Sequence, residues 1–365
     1  MSGTELPRWA DVVLIPLINL SLALLIAGCV VLIIGENPFE AMAILLKGAL
    51  GSLKGWGYLL YYATNFTFTG LAVAVAFHAG LFNIGGEGQA YIGGLGAGMA
   101  GLYLGFMPLP LAVLCGIIGA MAFGAAWAFI PAYLQAKRGS HIVITTIMFN
   151  FIAASLMIYL LNNVFRPKGR MAVESEALVA AIPTFREMGM SWGVKLPSTP
   201  LNPVVFLAVI AAVAVWFLLW RTRLGYEIRT VGANPDAAVY GGIGVARIII
   251  IAMLISGALA GLLSVNEIMG FQHRIVLEFV GGAGFVGIAV SLLGRSHPFG
   301  VILAALLFGI LYQGGAELSF QKPTISRDMI VVIQGLVILF MGALEQVFKP
   351  HIARLLAPRI AEAKA

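Results

Sequence analysis

The residues that could do chemistry are polar side chains inside apolar segments. The stretch LFNIGGEGQAYIGG places a carboxylate and two amides within seven positions. A charge at the bilayer centre costs roughly 2.5–3.5 kcal/mol on insertion scales, so such residues usually face a bundle interior or a water-filled cavity. The candidate pathway or gate residues are Asn65, Asn83, Glu87, Gln89, Asn150 and Gln334.

A structural role competes with the pathway role at each of these positions. Hydrogen bonds between membrane helices contribute on average under about 1 kcal/mol and need no transported solute. For Glu87 three roles stay open: facing the solute, holding a broken helix through backbone N–H groups, or contacting a partner subunit. We favour the structural role, with Glu87 just inside the cytoplasmic end of its span. Glu267 lies near a predicted span end and fits the membrane interface.

Enzyme chemistry has little support. The five histidines lack metal-ligand spacing, and H-E-x-x-H does not occur, so we predict no metal site. Ser140 precedes His141, but adjacency does not create a nucleophile–base pair, and we predict that Ser140 caps the next helix. We predict no catalytic residues.

The sequence also lacks the nucleotide-binding motif G-x-x-x-x-G-K-[ST]. We therefore predict no bound cofactor and an external energy source, either a partner ATPase or an ion gradient.

Composition predicts an integral membrane protein. Of 365 residues, 60% are hydrophobic and 10% are charged, whereas a soluble domain has roughly 25% charged residues. The net charge of +6 fits basic cytoplasmic loops, and we expect membrane lipid rather than nucleic acid as a partner. The two cysteines lie in apolar runs, which does not indicate a disulfide framework.

Hydropathy predicts an all-α, polytopic bundle of about ten spans, in one domain covering 1–365. The predicted spans are 12–34, 57–77, 84–105, 108–134, 142–161, 203–220, 247–269, 279–293, 298–315 and 328–347. Segment 37–54 is amphipathic and is expected along an interface. Both termini are expected in the cytoplasm. The basic residues of the loops on the other side of the membrane lie largely in one long loop, and long loops contribute little to the positive-inside rule. The domain divides into a first half 12–161, an extracytoplasmic loop 162–202, a second half 203–347 and a cytoplasmic tail 348–365.

Glycines four residues apart predict close helix packing in lipid. The pairs are Gly94/Gly98, Gly101/Gly105 and Gly257/Gly261. Small residues at this spacing share one helix face and let two backbones approach. The signal concerns the fold and says little about function.

The loop 221–247 contains a short, well-specified helix in the motif NPDAAVYGG. Asn234 is a favourable N-cap, and Pro235 suits the first helical position. Asp236 complements the positive end of the helix dipole, and Gly241 or Gly242 can end the helix. A helix of six residues is not stable alone. It therefore docks either on its own bundle or on a partner.

Three blocks carry a family resemblance. LGYEIRTVGANPDAAVYGGIGVAR resembles the cytoplasmic coupling segment of permeases in the bacterial ABC import family for branched-chain amino acids, ribose-type sugars and nucleosides. GLFNIGGEGQAYIGG and GSHIVITTIMFNFIA are similar to blocks of the nucleoside and simple-sugar branch. The last block departs from its relatives at Ile142, where many have Glu. The resemblance covers roughly 55–345.

The resemblance implies a type II ABC importer-like fold and a role as the permease subunit. It implies a second homologous permease, a cytoplasmic ATPase that uses ATP and Mg, and an extracytoplasmic substrate-binding protein. The ATPase-coupling residues would be Gly232, Asn234, Pro235, Asp236, Ala237, Ala238, Tyr240 and Gly241. The expected cargo is a nucleoside, or a simple sugar, crossing the bacterial inner membrane. The alternative is an ion-coupled secondary transporter with Glu87 and Glu267 as ion sites.

Overall fold

A computed structural model describes residues 14–326, 329–336 and 339. Within these ranges the regular structure is helical, apart from one isolated bridge between Glu174 and Val276, so the all-α prediction is confirmed. Residues 329–336 are also helical. In chain order the α-helices are α1 (Ile15–Ile33), α2 (Pro38–Leu50), α3 (Leu53–His78), α4 (Gly86–Tyr103), α5 (Leu109–Arg138), α6 (Ile142–Leu160), α7 (Phe185–Ser191), α8 (Val204–Arg221), α9 (Arg223–Ala233), α10 (Pro235–Tyr240), α11 (Val245–Ser264), α12 (Ala283–Leu293) and α13 (Pro298–Gln321).

Two helices continue as π-helix. These extensions are Leu161–Phe165 after α6 and Val265–Gln272 after α11. A π-helical turn widens the backbone and is frequent at functional sites. The second extension carries Glu267, which the sequence placed at an interface.

Six helices among the described residues are long and apolar enough to cross a membrane: α3, α5, α6 and α11 with their extensions, α8 and α13. The bent pair Ser21–Ile33 and Pro38–Leu50, with 117° between its axes, could supply a seventh. The predicted count of ten is not confirmed. Glycine and polar residues lower the hydropathy of α4, and α12 has only 11 residues. Much of the predicted span 328–347 lies outside the described residues, as does the tail 348–365.

The chain forms two compact units, one up to Gly51 and from Ile310 onward, the other Ser52–Gly309. In the first unit, Val31, Ala41, Leu318, Ile325 and Ile330 form a hydrophobic cluster. Lys322 binds the carboxylates of Glu36 (3.2 Å) and Glu40 (3.1 Å). Hydrogen bonds to Glu40 and Glu36 raise the pKa of Lys322.

The second unit is built around α3, most of which is buried. Glycines bring α11 against α5: a Cβ on Gly261 or Gly257 would collide with backbone carbonyls of Ala120 or Gly124. This confirms the packing role of that predicted pair. The glycine pairs of the 84–105 segment instead make room for side chains, such as Phe279 beside Gly94.

The segment after α6 packs along the chain that follows α11. Ser175 N donates to Ile275 O (2.9 Å) and Leu178 N donates to His273 O (2.8 Å). Within the same segment, Thr184 and Glu187 form a capping box at the start of α7. The backbone N–H of Thr184 lowers the pKa of the Glu187 carboxyl. The loop 162–202 thus covers part of its own bundle.

Candidate functional site

Between α3 and α4 the chain turns back into the bundle. Gly80 adopts a left-handed φ of +73° just after α3 ends. Asn83 Nδ2 donates to Ser256 Oγ (2.8 Å), and Ser256 Oγ donates to Ala72 O (2.6 Å). Because Ala72 lies six residues before His78, the chain has returned about 9 Å along α3 when it reaches Asn83. Helix α4 therefore starts inside the bundle, deeper than the sequence suggested.

Glu87 lies in the first turn of α4 and holds the start of α12. Its Oε1 accepts from Gly282 N (2.9 Å) and its Oε2 accepts from Gly284 N (2.8 Å). Two helix N-termini, each with partial positive charge, thus converge on one carboxylate. The side chain is buried, at 8% exposure. This contact is the structural alternative for Glu87, and its pathway role stays a prediction.

Three amide side chains fix the start of α4. Asn83 and Gln89 bond each other reciprocally at 3.0 and 3.2 Å. Asn150 on α6 accepts from Gly88 N and donates to Ile84 O, both at 2.9 Å. Four predicted site residues are therefore brought together, and we name them, with one serine, the Glu87 cluster: Asn83, Glu87, Gln89, Asn150 and Ser256.

A second polar group joins α3 to the π-helical extension of α11. Glu267 Oε1 accepts from Tyr61 OH (2.5 Å) and Asn65 Nδ2 (2.6 Å). Asn266 Nδ2 donates to Asn65 Oδ1 (2.8 Å), and Asn202 Nδ2 donates to Asn266 Oδ1 (2.9 Å). All five residues are buried, and we name them the Glu267 cluster. The interface position suggested for Glu267 is wrong, because its carboxylate lies inside the bundle.

The remaining candidate of this set, Gln334, belongs to the other compact unit. Its Nε2 donates to Leu311 O at 3.4 Å. This bond joins two residues of the same unit. Among the described residues, no group of three or more His, Cys, Asp or Glu side chains could hold a metal ion.

The predicted short helix is α10, Pro235–Tyr240. Asn234 Oδ1 accepts from Ala237 N (3.0 Å), which is the predicted N-cap. Gly242, with φ +75°, takes the left-handed position that ends the helix, whereas Gly241 does not. Ala238 is fully buried, and its neighbours in the helix are exposed, with Tyr240 at 95%. One small side chain thus anchors α10 while an apolar face stays uncovered.

Helix α9 connects α10 to the end of α3. A Cβ on Gly232 would lie 2.8 Å from Gly80 N and closer still to His78 O. The backbone of α9 therefore rests on the turn where the chain bends back towards the Glu87 cluster. On the same side, the Trp220 ring lies 5.2 Å from His78 and 5.0 Å from His297.

The sequence can be compared with known families at this point. The model of the branched-chain amino acid transport system / permease component family matches residues 56–342. The chain belongs to this family. The resemblance inferred from the three sequence blocks is thereby confirmed.

Individual relatives of this permease agree with the family match. It is 34% identical to the nucleoside ABC transporter permease NupB of Lactococcus lactis, over 90% of each chain. It is 35% identical to the guanosine permease NupP of Bacillus subtilis, over 90% of this chain and 93% of NupP. The glucose permease TsgB13 of Haloferax volcanii is 32% identical, over 89% and 86%. This chain is an ABC transporter permease with several apolar helices, and the secondary-transporter alternative is not favoured.

Lactococcus lactis and Bacillus subtilis each have a second permease that is similar to this chain at lower identity. These are the nucleoside permease NupC (29%) and the guanosine permease NupQ (27%). ABC permeases of this kind thus occur in related pairs.

Several polar residues of this permease were missed from sequence. Tyr61 precedes Asn65 by four positions, so both lie on one helix face, and that spacing could have revealed the pair. Asn202 and Ser256 offered no comparable signal, since each is a single polar residue beside an apolar run. Ser140 does not cap α6: the N-cap is His141, without a side-chain bond, and Ser140 Oγ is buried without a partner in the described structure.

Proposed function

We propose that this chain is the translocating subunit of an ATP-driven importer for nucleosides, with simple sugars as the second candidate cargo. The observation that carries the proposal is α10, a capped helix that leaves Val239 and Tyr240 exposed. An uncovered apolar pair on a six-residue helix fits docking to a partner. The names of the bacterial relatives support a nucleoside, and the glucose permease supports a sugar.

The partners would be a second homologous permease, a cytoplasmic ATPase that binds ATP and Mg, an extracytoplasmic substrate-binding protein and membrane lipid. The paired relatives support the second permease. This chain itself would bind no cofactor and hydrolyse no ATP. The loop 162–202 would receive the binding protein, and its exposed Trp192 and Met171 offer apolar contacts.

We propose a type II importer-like arrangement of about ten spans in a single domain, in the bacterial inner membrane with both termini in the cytoplasm. The halves 12–161 and 203–347 would each contribute a helix that starts inside the bundle. The starts of α4 and α12 support this, since discontinuous helices are typical of transport sites. The loop 162–202 would lie outside the cell, and 221–247 and 348–365 inside.

Transport would couple to ATP through one continuous path. The ATPase would bind α10 at Asn234–Gly241. Closure of the ATPase around its nucleotides would then shift α9. Gly232 of α9 rests on the turn at Gly80, from which residues 79–85 lead to the Glu87 cluster. A shift of α9 would thereby move the start of α4, and with it α12.

The solute would pass close to the predicted pathway residues, which the polar side chains of both clusters support. Asn83, Glu87, Gln89 and Asn150 would act as an inner gate. Asn65 would belong to a second polar zone with Glu267. For Gln334 the proposal has less support, because its single hydrogen bond is to Leu311 O.

The test is uptake of labelled uridine and glucose by cells that contain the whole transporter. We expect uptake to vanish when the ATPase is deleted and to resist a protonophore as long as ATP is maintained. Persistent uptake without the ATPase would contradict the proposal and favour ion coupling.

The coupling role is tested in the same cells. Deleting 235–240, or replacing Asp236 with Arg, should abolish uptake and co-purification of the ATPase while membrane insertion stays normal. Asp236→Asn separates the loss of charge from its reversal. Glu176→Arg, at an exposed carboxylate of the loop 162–202, is the matched control for co-purification of the ATPase, which it should leave unchanged. Normal uptake by the deletion variant would refute the coupling role of α10.

A further inference from the structure

A cleft of about 110 Å³ opens between α4, α6 and the turn before α12. Its lining residues are Tyr91, Ala154, Met157, Ile158, Leu277 and Glu278. A water needs roughly 10–15 Å³ of such space, so the cleft has room for several waters. Pockets that enclose a whole ligand measure roughly 300–1,000 Å³. The cleft therefore fits one part of a solute, such as a sugar ring, rather than a whole ligand.

Glu278 is the ionisable acid of this cleft, and its carboxylate has no hydrogen-bond or ion-pair partner among the described residues. In this respect it differs from Glu87 and Glu267, whose carboxylates each accept from two protein donors. Its backbone has φ +55°, a region that residues other than glycine seldom adopt. Such positions cluster at functional sites, because the surrounding structure must enforce them.

The surrounding structure fixes Glu278 from both sides. On one side, the Phe279 ring packs edge-on against Tyr91, with 5.3 Å between centroids, in space that a Cβ on Gly94 would fill. On the other side, Gly282 N and Gly284 N are bonded to Glu87. The turn that carries the free carboxylate is therefore held by the same glutamate that joins α4 to α12.

The chemistry of the lining selects a class of ligand. Two carboxylate oxygens can accept from two adjacent hydroxyl groups, and the Tyr91 hydroxyl can donate or accept. Met157, Ile158 and Leu277 offer an apolar wall for the C–H face of a sugar ring. Because the lining contains a negative charge and no basic residue, it repels phosphate. The cleft suits a neutral diol and discriminates against phosphorylated compounds.

We propose that the Tyr91–Glu278 cleft is a half-site for the vicinal diol of the transported solute, the ribose of a nucleoside or the ring of a sugar. Glu278 accepts from the diol and is the residue that distinguishes a ribonucleoside from its 2′-deoxy form. The cleft is too small for a whole nucleoside, so the rest of the solute contacts other surfaces of the path. This inference rests on the proposed import function and deepens it.

The experiment measures occupancy of the cleft directly. In the complete transporter, Ala154→Cys is introduced on a background of Cys29→Ser and Cys115→Ser and is labelled with a water-soluble maleimide. The probe is uridine, or glucose if only glucose is imported. Because hydrogen bonds to a charged group are the stronger ones, we expect Glu278→Gln to raise the probe concentration for half-protection about tenfold. The 2-deoxy analogue should need a similar increase with Glu278 intact, and uridine monophosphate should give no protection.

Glu40→Gln is the matched control and should leave half-protection unchanged, since that exposed carboxylate of α2 is not among the residues that line the cleft. If uridine or glucose is imported but does not protect the cysteine, or if Glu278→Gln protects at the same concentration, the half-site is refuted. Equal protection by methylammonium would also refute it in favour of a cation site. If neither solute is imported by the complete transporter, the proposed function itself fails, which the uptake arm reports separately.

Discussion

The Glu87 and Glu267 clusters each bury a carboxylate in the same compact unit, yet they satisfy it differently. Glu87 uses both oxygens, and both accept from backbone N–H groups of the turn before α12. Glu267 uses Oε1 alone, and its donors are the side chains of Tyr61 and Asn65. Backbone donors cannot rotate, whereas side-chain donors can change rotamer. The first cluster therefore fixes one geometry, and the second can exchange partners within the bundle.

The difference separates two uses of a buried charge. At Glu87 the carboxylate caps α12 from the first turn of α4, and both helices begin inside the protein. At Glu267 the carboxylate ends a chain of amides that reaches Asn202 at the start of α8. A transporter needs rigid joints between its moving parts and adaptable polar surfaces beside them, and these two clusters match those needs. The following substitutions test that distinction.

The largest effect is expected from Gly284→Ala. The new Cβ would lie 2.5 Å from Glu87 Cα and even closer to Glu87 N, and backbone atoms cannot move aside. Overpacking of this kind typically costs about 1–3 kcal/mol, and here it would also break the Glu87 bonds. We expect a sharply lower melting temperature in detergent. Gly86→Ala is the control, since its nearest contact would be an ordinary 3.6 Å; equal losses in both variants would contradict the close approach.

Glu87→Gln should have the next largest effect. The glutamine amide oxygen can accept from one of the two backbone N–H groups, but the amide NH₂ then faces the other N–H group. Rotating the amide by 180° only changes which of the two N–H groups lacks an acceptor. An unsatisfied buried group costs about 1–3 kcal/mol, so we expect reduced thermal stability and reduced uptake. Unchanged expression, stability and transport kinetics would show that the charge is dispensable.

Tyr61→Phe should have a smaller effect. Glu267 would keep its bond to Asn65, and the Phe ring would keep the packing against Phe271, whose centroid lies 5.3 Å away. Hydrogen bonds between membrane helices average roughly 0.6 kcal/mol, so we expect a small decrease in melting temperature. A loss as large as that of Glu87→Gln would mean that the Glu267 cluster is also a rigid joint.

Glu267→Gln should have the smallest effect on stability. The amide oxygen can accept from both Tyr61 and Asn65, as Oε1 does now, and its NH₂ can take the position of Oε2. The melting temperature should stay within the error of the wild type, in contrast to Glu87→Gln. Glu87→Gln and Glu267→Gln remove the same charge without changing the shape of the side chain. Comparing their melting temperatures therefore tests whether the first cluster is the more rigid one.

Sequence patterns predicted the local features well. The α10 helix has its predicted bounds and cap, because Asn, Pro and Gly encode capping within a few residues. Apolar runs also located α3, α5, α6 and α8 to within a few residues, since hydropathy over about 20 residues is a strong signal. The family resemblance rested on three such local blocks.

The long-range features could not be predicted. No pattern in the sequence pairs Glu87 with Gly282 and Gly284, which lie almost 200 residues away, because a carboxylate bound by backbone N–H groups leaves no complementary side chain to recognise. Nor did the hydropathy of 84–105 show that α4 begins inside the bundle. Glu267 was misplaced for a related reason: its π-helical turn extends α11 beyond the end that the apolar run suggested.

Helix α12 has consequences for how the protein is made. Its 11 residues rise about 16 Å, roughly half of the hydrocarbon thickness. A segment of that length does not qualify as a span when it leaves the ribosome, and the backbone ahead of it has no partners in lipid. Its place in the bundle therefore depends on contacts with α3 and α4, which precede it in the chain. Membrane insertion of α12 then requires its docking onto Glu87, and a chain that fails to dock there should be recognised by membrane proteases as unfinished.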